Sequence, residues 1–219
     1  MITVFGEGRG FRVVWLLEEM GLPYTLRPVD LLAGVENDPE YLKINPAGFI
    51  PAIRDGDATM VESIAIMEYL LARYGPSPLA PEPGDPTFPL YQQFLHLGEA
   101  GLAGTMYFYN ASRNFAPEAE RLDWTARFAL EVFESRLDLV TRRLAQSPYL
   151  AGDSFTAADI SVTWALEFAH RACGYVPGEP EQDYVARTTG RDAYRRTMDV
   201  CKATKAFAER AAAAQSPSS

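Results

Sequence analysis

Between Gly75 and Pro89 the chain reads GPSPLAPEPGDPTFP, with six prolines and two glycines. Proline removes a backbone donor, fixes its own φ and pushes the preceding residue out of helical space. No regular element can run through such a stretch, so it divides the chain. Residues 1–75 and 89–219 are expected to form separate domains, with 76–88 as an extended linker.

The front part alternates strand and helix signals. Ile2-Thr3-Val4-Phe5 is a β-branched and aromatic run ended by Gly6, Gly8 and Gly10. Residues 11–20 predict a helix stopped by Gly21 and Pro23. Residues 24–29 predict a second strand, with Pro28 marking an edge or an irregular end. Residues 39–44 suit a short helix. Residues 50–54 and 58–61 flank Asp55-Gly56-Asp57, a hairpin signal. Residues 62–74 carry Ile64, Ile66, Met67, Leu70 and Leu71 at helical spacing. The order is β-α-β-α-β-β-α.

The rear part is expected to be all α-helical. Residues 90–113 read as one helical stretch. Residues 118–145 read as a long one, with Leu122, Phe128, Leu130, Phe133, Leu137, Val140 and Leu144 forming a buried stripe. Thr156 and Asp159 form a capping box ahead of the apolar run 160–169. Residues 192–211 predict a last helix, and the tail AAAAQSPSS is expected to fray.

Charge and cysteine content narrow the partners. Lys plus Arg is 20 and Asp plus Glu is 29, a net charge of −9. An acidic chain without a basic stripe argues against nucleic acid or an anionic membrane surface. The run Val13-Val14-Trp15-Leu16-Leu17 is too short to span a bilayer, and the N-terminus shows no signal-peptide pattern. Cys173 and Cys201 have no paired-ligand spacing, so neither a metal site nor a disulfide framework is expected. A cytoplasmic protein fits these features.

Three segments carry a family resemblance. They are Leu42-Lys43-Ile44-Asn45-Pro46-Ala47-Gly48-Phe49-Ile50-Pro51, Glu62-Ser63 at a helix head, and Thr156 to Asp159 following Tyr149-Leu150-Ala151-Gly152-Asp153. Together, in this order, they resemble a soluble glutathione transferase, and the resemblance spans nearly the whole chain. It implies a thioredoxin-like N-terminal domain followed by an all-α domain, usually in a homodimer. It further implies that glutathione, the co-substrate, is bound mostly by the first domain and conjugated there to a hydrophobic electrophile in detoxification.

The residues can be weighed against the chemistry of that tripeptide. Ser63 stands where a helix begins, so its hydroxyl and the free N–H groups suit the γ-glutamyl carboxylate. Glu62 suits the neighbouring ammonium. The plain alternative is that both residues only cap the helix. In the family the bond before the proline matching Pro51 is cis, and the backbone of the residue matching Ile50 pairs with the cysteinyl unit. Lys43 either reaches the glycyl carboxylate or is a solvated lysine. The family lines its electrophile pocket with residues matching Phe11, Tyr107 and Arg113.

Thiol activation is where the sequence departs from the family. A free thiol, with a pKa of about 8.5, is mostly protonated at neutral pH. Relatives use a serine, tyrosine or cysteine near the first strand, but residues 4–17 here contain no Ser, Thr, Tyr or Cys. The matching places are Gly8 and Gly10. Arg9, or open N–H groups at the start of the first helix, are the expected substitutes, whereas Arg12 is expected to face solvent or an acid on its own helix. Two other readings keep the same site: glutathione-dependent lyase or peroxidase chemistry, and a non-catalytic dimerising module. Gly98, Gly101 and Gly104 recur at a spacing of three, which suits close approach by another backbone, a ligand or a second subunit.

Overall fold

The sheet comes from the front part, and its strands are short because glycine or proline bounds β1, β2 and β3 and β4 ends at the positive-φ residue Glu62. A computed structural model describes residues 1–31 and 34–206. β1 (Ile2–Phe5), β2 (Tyr24–Arg27), β3 (Ala52–Asp55) and β4 (Ala58–Val61) lie in the order β2-β1-β3-β4. β1 runs parallel to β2 and antiparallel to β3, and β3 and β4 form the hairpin through Gly56, whose φ is +59°. α1 (Gly10–Met20) makes the β1-to-β2 crossover, α2 (Pro39–Leu42) precedes β3, and α3 (Ser63–Tyr74) follows β4. This is a thioredoxin-like unit with the expected element order.

α1 is buried from Gly10 through Leu17. One face of a helix suffices to cover a sheet, so burial all round means that other elements cover the rest. Beyond the sheet those elements are α3 and α9 (Asp192–Val200). Arg12 is therefore fully buried rather than facing solvent, which corrects the expectation for it. Its Nε and Nη1 have no acceptor among the described residues, although the side chain has other interactions.

The chain clusters into two units. Among the described residues, the first is Met1–Ser77 together with 191–206, and the second is Pro78–Gly190. The sequence reading had no reason to return α9 to the first unit. The side chains supply one. Tyr194 packs edge-on against Trp15 at 4.9 Å and Phe11 at 5.4 Å. Arg191 makes a two-pronged pair with Glu19 at 2.6 and 2.8 Å, and Arg196 meets Glu18 at 2.7 Å. α9 ends at Val200, short of the expected 211, and residues 202–206 resume as helix. The tail AAAAQSPSS lies outside the described residues.

The second unit is helical. α4 (Phe88–His96) passes through a π-helical segment, Leu97–Ala103, into α5 (Gly104–Asn114). The expected 118–145 helix divides instead: a short 3₁₀ turn, Glu118–Glu120, precedes α6 (Trp124–Leu144), which Asp123 caps through Ala126 N–H. α7 (Ala157–Cys173) and α8 (Glu179–Thr189) complete it. A Cβ on Gly98 would stand 2.6 Å from the backbone carbon of Ser161 on α7. Gly98 is thus a packing notch within this unit, where the Ser161 hydroxyl also donates to Leu95 O (2.8 Å). Arg136 Nη1 donates to the carbonyls of Ala100 and Gly101, both at 3.3 Å, in the π segment.

The capping box forms as expected, with more partners than a box needs. Asp159 accepts from Leu150 N–H (3.0 Å), Thr156 N–H (2.8 Å), Thr156 Oγ1 (3.1 Å) and the Tyr184 hydroxyl (3.0 Å). Burial outweighs those donors and pushes its carboxyl up to about 6.

Two outcomes follow. Gly98→Ala overpacks the α7 contact and should lower stability by about 1–3 kcal/mol in urea unfolding. For Asp159, the native state holds the proton more tightly than the unfolded chain between roughly pH 4 and 6. Its contribution to stability therefore falls as pH rises through that window. In urea midpoints measured from pH 4 to 7, the wild-type-minus-Asp159→Asn difference should decline with pH; a flat difference would count against the raised carboxyl.

Candidate functional site

One end of the sheet gathers three segments. Phe5 pairs with Ala52, and Ala52 pairs with Val61. One residue beyond this row come Gly6, Pro51 and Glu62. The register alone therefore puts the glycine loop 6–10, the Ile50-Pro51 turn and the head of α3 side by side. The contact is tight: a Cβ on Gly6 would lie 2.4 Å from Ile50 Cγ2, and one on Gly10 would lie 3.2 Å from Pro51 Cβ. The Ile50–Pro51 bond is cis.

The turn ahead of Pro51 is held by residues that the motif did not reveal. Phe49 O accepts from Asn45 Nδ2 at 2.6 Å and from the hydroxyl of Tyr41. Asn45 Oδ1 accepts from Ala47 N–H (3.1 Å), an Asx turn started by the residue before Pro46. Tyr41 is buried in a cluster with Phe5 and Ala52, against which Ile50 packs. Asp38 accepts from Tyr41 N–H (3.0 Å) and pairs with Arg27 on β2 (2.8 Å). Arg27 holds the Asp38 carboxyl below its ordinary range. The Asn-Pro pair signalled the Asx turn. Nothing in the sequence pointed to Tyr41 and Asp38, just ahead of the motif, or to Arg27 on another strand.

At the head of α3, Glu62 has φ +69° and ψ 107°, unusual for a residue with a side chain and worth about 1–3 kcal/mol of strain. Its side chain makes no capping hydrogen bond. The plain capping role therefore fails for Glu62, which stays exposed, while Ser63 is only 2% exposed. The first intrahelical bond runs from Ile66 N–H to Glu62 O (2.9 Å). A buried hydroxyl, an uncapped helix start and an exposed carboxylate thus stand within two residues.

Lys43 lies on the surface and pairs with Glu40 at 2.5 Å. Arg9 is half-buried at the N-cap of α1 and is already engaged. The first-turn N–H groups of α1 are less available than expected. Gly10 N–H donates to Glu7 O (2.8 Å) and Phe11 N–H to Gly8 O (3.1 Å). Gly8 has φ +59° and only Ile50 Cδ1 near its absent Cβ, at 3.5 Å.

Comparison with known proteins decides the family. Residues 10–73 match the family "Glutathione S-transferase, N-terminal domain", and residues 114–203 match "Glutathione S-transferase, C-terminal domain". Glutathione S-transferase 3 of Schizosaccharomyces pombe is 31% identical over 177 residues, covering 75% of this chain and 72% of that protein. The chain belongs to the glutathione transferase family. A theta class glutathione S-transferase from Xanthomonas axonopodis pv. citri, solved with glutathione bound, superposes with TM-score 0.77 at 29% identity, covering 90% and 96% of the two chains. Glutathione transferase URE2P6 from Phanerochaete chrysosporium shares the fold at TM-score 0.80 and 24% identity, covering 92% and 96%.

In this glutathione transferase, the residues matched to the electrophile pocket have different fates. Phe11 is 3% exposed and committed to the Trp15–Tyr194 cluster of the first unit. In the second unit, Arg113 Nη1 donates to Cys173 O (2.7 Å) at the end of α7, where a cation complements the helix dipole. Tyr107 is half exposed on α5, edge-on to Phe108. The cysteines are poor nucleophiles. Burial pushes Cys173 up to about 12 and also raises Cys201, where Glu7 and Glu18 add to the effect. Among the described residues no acid, His and Cys cluster could hold a metal ion, and no helix could cross a membrane.

The space around the two glycines gives a direct test of the missing hydroxyl. Gly8→Ser meets an ordinary contact and only the left-handed penalty, about 1–2 kcal/mol, so it should fold and lower the thiol pKa of bound glutathione. Gly6→Ala should fail to bind glutathione, because its Cβ overlaps Ile50. Binding calorimetry and ultraviolet titration of the complex read both outcomes.

Proposed function

We propose that this chain binds reduced glutathione in its first unit and transfers the thiolate sulfur to a small hydrophobic electrophile. The juxtaposition of the cis Ile50–Pro51 turn with the uncapped head of α3 carries the proposal. The Ile50 backbone pairs with the cysteinyl unit beside Pro51. Ser63 and the first-turn N–H groups of α3 take the γ-glutamyl carboxylate, and Glu62 takes the ammonium. Lys43 turns from Glu40 to the glycyl carboxylate. The thiol proton leaves to solvent, and Arg9 stabilises the thiolate left beside it. The sulfur then forms a bond to the electrophile's carbon, whose leaving group departs with the bonding pair. Holding both reactants in place supplies much of the rate. Tyr107 is the proposed electrophile contact in the second unit.

Family membership and the glutathione-bound Xanthomonas structure support this reading. A cytoplasmic homodimer acting in detoxification is proposed on the family's habit, together with the acidic charge and the two free, buried cysteines. No nucleic acid or membrane partner is proposed.

Calorimetric titration with glutathione, paired with a conjugation assay on an activated aryl halide, tests the proposal. Ser63→Ala should weaken glutathione binding by about 10-fold or more, the usual worth of a hydrogen bond to a charged group. Glutathione that binds wild type without forming any conjugate would favour a non-catalytic binding module, the reading that the missing hydroxyl supports.

A further inference from the structure

The glycine loop carries a charge of the wrong sign for a thiolate. Glu7 lies between Gly6 and Gly8, both with positive φ, in the loop that packs on Ile50. A carboxylate loose in that loop would raise the pKa of a nearby thiol. Glu7 is not loose. Its Oε2 accepts from Thr204 N–H (2.8 Å) and Thr204 Oγ1 (3.0 Å), and its Oε1 accepts from Ala203 N–H (3.3 Å). Its backbone carbonyl accepts from Gly10 N–H, which pins the loop to α1. Glycines on both sides leave the backbone free to turn, so the carboxylate tether fixes the loop where sequence alone would leave it soft.

The charged and titratable groups around Glu7 share this arrangement. Glu18 of α1, Tyr24 of β2 and Lys202 line one groove with it. Glu18 is itself held by the Tyr24 hydroxyl (2.7 Å) and Arg196 (2.7 Å), and the Cys201 thiol also senses Glu7. Both acids on this side are thus met by donors, those for Glu7 coming from the stretch just after α9.

We propose that Thr204 is a positioning residue that holds the Glu7 carboxylate on the chain's returning segment and so keeps its charge off the glutathione thiol. The inference rests on the glutathione-binding reading above. It assigns a function to the return of residues 203–204 to the first unit, where they set the electrostatics of the loop that lacks a hydroxyl.

Ultraviolet titration of bound glutathione in wild type, Thr204→Val, Thr204→Ser and Glu7→Gln tests it. Thr204→Val should raise the thiol pKa by about half a unit, roughly a threefold loss of thiolate below that pKa. It should lower kcat at acidic pH more than it changes KM for glutathione. Thr204→Ser should restore the wild-type value. Glu7→Gln removes the charge and should leave the thiol pKa at or below that of wild type; because it also loses part of the tether, a merely structural role would raise it instead. An unchanged pKa in Thr204→Val, or an equal rise in Thr204→Val and Glu7→Gln, would overturn the inference. Should Thr204→Val not fold, Glu7→Gln decides alone by the sign of its shift. If wild-type glutathione binds and its thiol titrates as if free, the transferase reading fails first; an ionised wild-type thiol with unresponsive variants sinks only this inference.

Discussion

The antiparallel register across β1, β3 and β4 sets Phe5, Ala52 and Val61 in one row, and the residues just past that row make the candidate site. A shift of one residue in either pairing would turn every side chain of the shifted strand to the other face; in the β1–β3 pairing it would separate Gly6 from Ile50, and in the β3–β4 pairing it would separate Glu62 from Pro51. The register is held from both sides. The two-residue β3–β4 turn fixes one pairing, and the packing of Phe5, Tyr41 and Ala52 fixes the other. The cis turn, the loop glycines and the head of α3 are consequences of that row rather than independent features.

The turn at Phe49 shows how a short motif depends on distant residues. Its carbonyl is satisfied by Tyr41 and Asn45, and Tyr41 is placed by Asp38, which Arg27 ties to the sheet. The chain from β2 to β3 is thereby anchored at both ends, and the Ile50 backbone is presented by a buried network instead of a free loop. The same economy appears at α1. Its apolar start packs under α9, while Glu18 and Glu19 at its end take Arg196 and Arg191.

Much of this was legible in the sequence. The strand and helix signals of the first unit, the hairpin at Gly56 and the capping box at Thr156 follow from local chemistry and form as expected, and the cis Ile50-Pro51 turn forms as the family resemblance implies. The parts that were not legible have physical reasons. α8, with the sequence EPEQDYVARTT, shows no apolar stripe, because its burial rests on Tyr184 and hydroxyls such as Thr188 meeting α7. The π segment was not read from the sequence, and two of its carbonyls, Ala100 and Gly101, are met by Arg136 from α6, which no local pattern announces. The break before α6 depends on Leu122 at φ +50° and on the Asp123 cap, where only the cap leaves a signal. Arg12 was misread because an arginine on an apolar helix looks like its wet face, whereas α9 covers that helix. In the candidate site, Ser63, Glu62, Ile50 and Pro51 were found by motif, but the Glu7–Thr204 tether joins residues nearly two hundred positions apart and no local pattern announces it.

The central claim is that one row of the sheet end assembles a glutathione site in a chain without the usual activating hydroxyl. A crystal structure of the protein soaked with reduced glutathione tests it most directly. The account requires the cysteinyl backbone paired with Ile50, the γ-glutamyl carboxylate at Ser63 and the sulfur over Gly8 and Arg9. Glutathione bound with its carboxylate away from α3, or with its sulfur remote from the glycine loop, would contradict it.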